Sequence, residues 1–378
     1  MQPNARVSAR RRTGAVRRRL ACLLLPWLLA CASVSPAASE SPAAPAASGA
    51  SVVDPGHGPT ALAAGAAGAT ELSGIAYAGA DGYYAISDSG AVLFELAIQI
   101  DLASAAILSA AVVGSLPLAS GTDLEGLVHH PLGGSVIAAD EVGPGIREYR
   151  LSDGAEISSV TLPPIYAQVR SNLSLESLSM RVASSATDDA LWTANEEALT
   201  VDGPVSSGTS GSVVRLQRFD STLAPAGQWA YLTDPYPGAP FLGQERSGVA
   251  DLLALPNGEL LALERSFSSA LFRTRLYRVD FSGATDTSAL ASLATDPFTP
   301  VTKTLLWERA GTFENFEGLT LGPALDAGDW SLLLVSDNGG GAQQNLYPLR
   351  LAYLPEPGAS AGLIAGGLAL AALGRRRR

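Results

Sequence analysis

A two-part signature recurs five times between residues 71 and 338, and it limits the fold more than any other feature. The first part is an acidic or small residue, then Gly or Ser, then an aliphatic strand start: Ser73-Gly74-Ile75, Glu125-Gly126-Leu127, Glu176-Ser177-Leu178, Ser247-Gly248-Val249 and Glu317-Gly318-Leu319. The second is an apolar run ending in acid: Tyr84 to Asp88, Val136 to Glu141, Leu191 to Glu196, Leu260 to Glu264 and Leu332 to Asn338. The Gly/Ser positions are separated by 52, 51, 71 and 70 residues. A period near 50 built from short strands points to a radial array such as a propeller. The first repeat reads as four strands, Leu72 to Tyr77, Tyr83 to Ser87, Val92 to Ile100 and Ala106 to Val113, which is one blade. Matching third strands follow at Ile146 to Leu151, Val213 to Phe219 and Leu271 to Val279. No long capped amphipathic helix intervenes, so a parallel α/β sheet is excluded. The expectation is an all-β propeller of four-stranded blades. Five signatures set the minimum, and the two longer intervals leave room for a sixth blade. The last repeat offers only three strands, ending with Asn345 to Tyr353, so a strand from Ser51 to Ala67 should close the ring and cover its edge.

At 47% apolar residues the chain can bury a substantial core. Of its 25 basic residues, seven precede residue 20 and four are Arg375 to Arg378, so only 14 face all 36 acids in between. A body with a net charge of about -22 repels phosphate backbones and anionic lipid, which argues against nucleic-acid binding. An anionic substrate would need a bound cation or an arginine cluster to approach. Residues 1–37 combine a basic start, the apolar run Leu20 to Ala32 and small residues after it, the layout of a secretory signal peptide. Cleavage near Ser35-Pro36-Ala37 and lipidation at Cys31 after Leu28-Leu29-Ala30 are both open. Both cysteines, Cys22 and Cys31, lie in this segment, so ordinary cleavage leaves no thiol for disulfides, metal or catalysis. Residues 38–70 are rich in Ala, Ser, Pro and Gly and read as a linker, leaving 71–353 as the propeller body.

In a propeller the first strands line the central channel, so the repeat acids should meet as a ring on one face. Carboxylates so crowded repel unless a cation or arginine sits among them. Hard oxygen donors without His or Cys suit Ca²⁺ better than Zn²⁺. Asp88, Asp140, Glu176, Glu264, Asp337 and Asn338 are the candidate metal ligands, with Ca²⁺ the expected cofactor. Glu317 or Glu125 could take the proton of an attacking water. Arg246 and Arg265, with Arg181 in the third repeat and Arg309 nearby, are candidates to hold a phosphate or carboxylate. No Gly-x-Ser-x-Gly elbow, phosphate-binding Gly-Lys-Ser/Thr loop or His-Glu-x-x-His is present, and His129-His130 lacks a third ligand by spacing.

Two stretches resemble known families. Leu354-Pro355-Glu356-Pro357-Gly358, the apolar Ala359 to Leu373 and Arg375 to Arg378 resemble the PEP-CTERM sorting signal of Gram-negative bacteria over residues 354–378. That resemblance implies exosortase as a partner, a transient C-terminal membrane span, and a body delivered outside the cytoplasm, to the cell surface or beyond. Asn315-Phe316-Glu317-Gly318-Leu319 through Leu332 to Asn338, with Asp123 to Leu127 and Ser174 to Leu178, resembles the phytase-like proteins described as having esterase-like activity of phytase. It implies a secreted propeller that hydrolyses phosphoesters or related esters with divalent-metal dependence, and it maps to Glu125, Glu176, Glu317 and Asp337. The expected substrate is a small ester or phosphoester, and the expected state a monomer. The residues leave two rivals open: a non-catalytic surface or matrix-binding propeller with structural metal, and a calcium-dependent lactonase-like hydrolase.

Overall fold

The computed structural model describes residues 49–352 except 64–67, 131, 182–189, 239–242 and 341–342. The expected signal peptide, with Cys31, and the expected sorting tail lie outside the described residues. Two short strands, β1 (Ser51–Val53) and β2 (Thr60–Ala61), come before four four-stranded antiparallel sheets and the three strands of a fifth, to which they add. The first sheet is β3 (Leu72–Gly79), β4 (Gly82–Ser87), β5 (Gly90–Ile100) and β6 (Ile107–Pro117); the second is β7 (Leu124–His130), β8 (Ser135–Asp140), β9 (Gly145–Arg150) and β10 (Glu156–Val160). The third is β11 (Leu175–Arg181), β12 (Ala190–Asn195), β13 (Val213–Phe219) and β14 (Pro225–Leu232). The fourth is β15 (Arg246–Ala254), β16 (Leu260–Ser268), β17 (Leu271–Asp280) and β18 (Thr302–Thr312). In the fifth, β19 (Phe316–Ala324), β20 (Trp330–Ser336) and β21 (Asn345–Ala352) are completed by β1. The chain is therefore a five-bladed β-propeller. Among the described residues no helix is long and apolar enough to cross a membrane.

The first strands β3, β7, β11, β15 and β19 form the inner ring, each packed against the next. The repeat glycine explains how. A Cβ on Gly126 would fall 2.3 Å from the Leu178 nitrogen of the next blade, one on Gly74 2.2 Å from the Glu125 oxygen, and one on Gly318 2.4 Å from the Ser73 oxygen. The inner backbones come so close that a side chain has no room. Ser177 stands in the third copy, its hydroxyl accepting from the Ala194 N–H at 2.9 Å. Buried Asp251 ties three blades at this level, accepting from the backbone N–H of Leu252 (2.8 Å), Leu319 (2.7 Å) and Leu178 (3.4 Å). Further out, the apolar residues separate into five clusters, one between each pair of neighbouring blades.

Among the described residues the longer intervals hold no sixth blade. Their extra residues form the connections 196–212 and 281–301, which are pinned to blade three by the fully buried pair Arg215–Asp202 (2.6 Å) and by the Leu293 N–H donating to Asp202 (2.8 Å).

Closure by the N-terminal side occurs as the three-strand count requires. Ser51, Val52 and Val53 pair with Ala352, Leu351 and Arg350, Thr60 pairs with Leu346, and Leu62 is buried in the core between blades five and one. The propeller thus takes in residues that composition assigns to the linker. Asp54, after β1, latches the closure: it accepts from the Tyr347 hydroxyl (2.7 Å) and the Trp307 indole N–H (3.1 Å). Burial alone would raise its pKa, but the bonds from Tyr347, the Gly56 N–H and Trp307 outweigh it and the net shift is downward. The native state then binds fewer protons than the unfolded chain, so this contribution is full above the ordinary carboxyl value of 3.8 and is lost as pH falls below it through the lower folded value. Asp54→Asn is expected to lower unfolding stability at neutral pH by about 1 kcal/mol for so exposed a latch. In urea titrations the penalty should shrink toward about pH 3.5; a penalty independent of pH would remove the charge from the account.

Candidate active site

At one end of the inner ring, where strands one and two of each blade form a hairpin, Glu125, Glu176 and Glu317 directly before the repeat Gly/Ser, and Asp123 and Asn315 two residues ahead of Glu125 and Glu317, line one cavity. In blades one, two, three and five the residue following strand two donates its N–H back across this hairpin: Asp88 to Glu71 (3.1 Å), Glu141 to Asp123 (2.8 Å), Glu196 to Ser174 (2.7 Å) and Asp337 to Asn315 (2.9 Å). Each of these inner strands carries a bulge at the signature residue itself, between Leu72 and Ile75, Leu124 and Leu127, Leu175 and Ser177, and Phe316 and Gly318. In blade four the bulge falls later, between Val249 and Asp251, and the hairpin stays paired through Arg246 and Phe267. Since a one-residue slip exchanges the faces of a strand, blade four presents different side chains to the ring.

The result is a cavity of about 260 Å³ whose lining includes Asp88, Asp123, Glu125, Glu141, Glu176, Glu317 and Asp337 together with Arg246, Arg265, Phe267 and Phe272. Carboxylate oxygens of Asp88, Asp123 and Glu125 lie within 4.8 Å of one another, as do those of Glu125, Glu141 and Glu176, so Glu125 belongs to both triads. Burial is the main cause that raises the pKa of all five acids, with neighbouring carboxylates adding to it. Asp88 is pushed to about 7 with help from Asp337, and Glu141 to about 7 with help from Glu196. Glu125 is held well above the ordinary value, with Glu317 next as cause, and Glu176 likewise, with Glu125 next; Asp123 is raised as well. One oxygen of Asp88 is buried and accepts no hydrogen bond.

Arg265 stands among the acids, nearly buried, its Nη2 paired with Glu196 (2.5 Å) and its Nη1 with Glu317 (2.8 Å), Nη1 also donating to Asn315 (3.2 Å). Burial works against its charge, yet Glu317, Glu196, Glu176 and Glu125 outweigh it and its pKa rises. Glu317 accepts in addition from the Asn315 amide (2.8 Å), and burial pushes its pKa to about 8 despite Arg265. Arg246 is a third exposed and reaches Glu196 only at 3.8 Å.

The structure thus brings Glu317, Glu125, Glu176, Asp88, Asp337, Arg246 and Arg265 together, and places three other sequence candidates elsewhere. Asp140 is buried against Arg147 (2.6 Å), because Glu141 and not Asp140 follows strand two at the rim. Glu264 pairs with Lys303 and accepts from the Tyr231 hydroxyl (2.6 Å) in the body of blade four, where the displaced bulge leaves it. Asn338 spends its amide on backbone, accepting from Asn315 (3.2 Å) and donating to Gln343 (2.6 Å). Of the further basic residues, Arg309 lies over the Tyr347 ring, and neither it nor Arg181 lines the cavity. Sequence reasoning missed Asp123, Glu141, Phe267 and Phe272. Asp123 was legible as the residue three before the repeat Gly, whereas the others depend on bulges.

Oxygens no more than 4.8 Å apart can share one Ca²⁺, whose ligands stand at about 2.4 Å. Among the described lining residues there is no histidine or thiol to favour zinc. The donor set, together with the orphaned Asp88 oxygen, therefore fits a hard divalent cation.

No curated protein matches the sequence. Among solved structures, the chain is similar to a hydrazine synthase of Kuenenia stuttgartiensis at 10% identity and TM-score 0.33, covering 70% of this chain and 56% of that one. It is also similar to the PQQ-bound aldose sugar dehydrogenase of Streptomyces coelicolor at 14% identity and TM-score 0.35, covering 80% and 99% of the two chains. A third similar structure is a putative oxidoreductase (glucose dehydrogenase) of Thermus thermophilus, at 12% identity and TM-score 0.32, covering 80% and 100%. At these scores the likeness carries no inference about chemistry. Residues 68–340 match the Phytase-like family, "Esterase-like activity of phytase", a span that runs from the start of blade one into blade five. The chain belongs to the Phytase-like family.

Proposed function

We propose that the chain is a hydrolase of phosphoesters or related esters assisted by a divalent cation, with Ca²⁺ the expected one. The observation that supports this most is buried Glu125, shared by two carboxylate triads in a cavity that the partly exposed Arg246 also lines. Asp88, Asp123, Glu125, Glu141 and Glu176 would hold the cation. When bound there, the cation supplies Lewis-acid polarisation of the ester and favours ionisation of water. Glu125, central to both triads, fits a ligand better than a base. Glu317 is then the general base, fixed by Arg265 and Asn315 at the cavity wall with its carboxyl oriented before substrate arrives. Arg246 holds the substrate oxyanion, to which its loose 3.8 Å contact with Glu196 leaves it available. Delivery outside the cytoplasm, by the N-terminal signal and by exosortase acting on the C-terminal tail, belongs to the same reading.

The test is turnover of p-nitrophenyl phosphate and p-nitrophenyl acetate by the purified protein in Ca²⁺ or EDTA. Activity should require the cation, and Glu317→Gln should lower kcat about a hundredfold or more while cation binding persists. If no ester is turned over although Ca²⁺ raises the unfolding midpoint, the acids serve structure and the ligand-binding reading replaces this one.

A further inference from the structure

Blade four interrupts the acidic ring with aromatic rings. Where blades one, two, three and five place Asp88, Glu141, Glu196 and Asp337, blade four places Phe267. Arg246 is the register partner of Phe267, and Phe267 of Phe272, so the three stand in a row on one face across β15, β16 and β17. The two phenyl rings lie 4.9 Å apart, and all three side chains line the cavity. Phe272 is paired onward with Thr312, and the next residue, Phe313, is 80% exposed two positions before the site residue Asn315. The wall is thus a guanidinium at one end and an apolar aromatic surface at the other. Neighbouring strands lie about 4.8 Å apart, so the row from Arg246 to Phe272 spans about 10 Å.

We propose that this row selects the substrate: a phosphate monoester with one anionic group and an aromatic organic half, the phosphate at Arg246 and the arene against Phe267 and Phe272. The inference rests on the hydrolase reading for the site's chemistry, but the row itself is a binding feature. Among the described lining residues Arg246 is the one cation not already held by close carboxylates, since Arg265 has both terminal nitrogens engaged. A polyphosphorylated ring would bring several anionic groups to a cavity with one available guanidinium, and its remaining phosphates would face carboxylates. An aryl group instead meets the apolar part of the wall, where ring-to-ring contact is favourable.

The test uses the full chain with 2-naphthylmethyl phosphate and ethyl phosphate, whose alkoxide leaving groups are similar, so that the ratio of kcat/KM reports binding of the organic half. The naphthylmethyl ester should be preferred about tenfold or more, mainly through KM. Phe272→Leu, which keeps an apolar side chain and the fold, and Phe267→Ala should each cut that ratio several-fold. A wild-type ratio near one, or a ratio unchanged in both variants, overturns the proposal. If neither ester is hydrolysed, the phosphoester part of the hydrolase reading fails and the row is judged by calorimetry with the non-hydrolysable 2-naphthylmethylphosphonate and ethylphosphonate. Tighter naphthyl binding that Phe272→Leu weakens then supports the row, and equal binding of the two overturns it.

Discussion

Arg265→Met is expected to destabilise the protein by about 3–5 kcal/mol, the cost of leaving buried carboxylates without their counter-charge. Arg265 is the register partner of Gly248. The residues paired with the corresponding Ser177 and Gly318 are Ala194 and Val335, so an apolar side chain suits this position in other blades. Methionine keeps much of the arginine's volume, and the loss should therefore be electrostatic. It removes the 2.5 Å pair with Glu196 and the 2.8 Å pair with Glu317, both buried, and exposes Glu176 and Glu125 to mutual repulsion. The measurement is the urea unfolding free energy in EDTA, for Arg265→Met alone and combined with Glu196→Gln and Glu317→Gln. Neutralising the two acids in the methionine background should recover most of the loss, because the pair is costly chiefly when one partner is left alone. A single-variant cost within about 1 kcal/mol would mean that the acids do not depend on Arg265 for their balance.

The same residues mark what a one-dimensional reading can and cannot reach. The blade architecture was legible because inner strands must cross at backbone contact, and that requirement repeats a Gly in Gly74, Gly126 and Gly318. The acids directly before it, Glu125, Glu176 and Glu317, were legible for the same reason, being fixed to the crossing point. Of the acids after strand two, Asp88 and Asp337 were legible as well, and the rest were not. Their place depends on hairpin length and on where the bulge falls, so the sequence points to Asp140 where Glu141 reaches the cavity and to Glu264 where Phe267 does. The blade count stayed open between five and six because residues 196–212 and 281–301 lengthen two intervals without adding strands of their own. Their anchoring to the buried pair Arg215 and Asp202 is a tertiary fact with no local periodicity to announce it.

Glu125→Gln should change stability in opposite directions with and without divalent cation. In EDTA the wild-type side chain is a buried carboxyl pressed by burial first and then by Glu317, Asp123 and Glu141, so an amide of the same shape relieves repulsion and the unfolding free energy should rise. With Ca²⁺ at a hundred times its dissociation constant, the wild-type protein should gain about 2.7 kcal/mol by mass action, and the variant should gain little of it. Because Glu125 contributes to both triads, its loss should exceed that of Glu141→Gln or of Asp88→Asn, each of which touches one. The measurement is urea unfolding of the three variants across a Ca²⁺ titration, with turnover followed in parallel. A carboxylate that only braced neighbouring loops would lose stability on substitution under both conditions. The reversal of sign is therefore the outcome that separates a cation ligand from a structural acid, and its absence would remove Glu125 from the proposed centre.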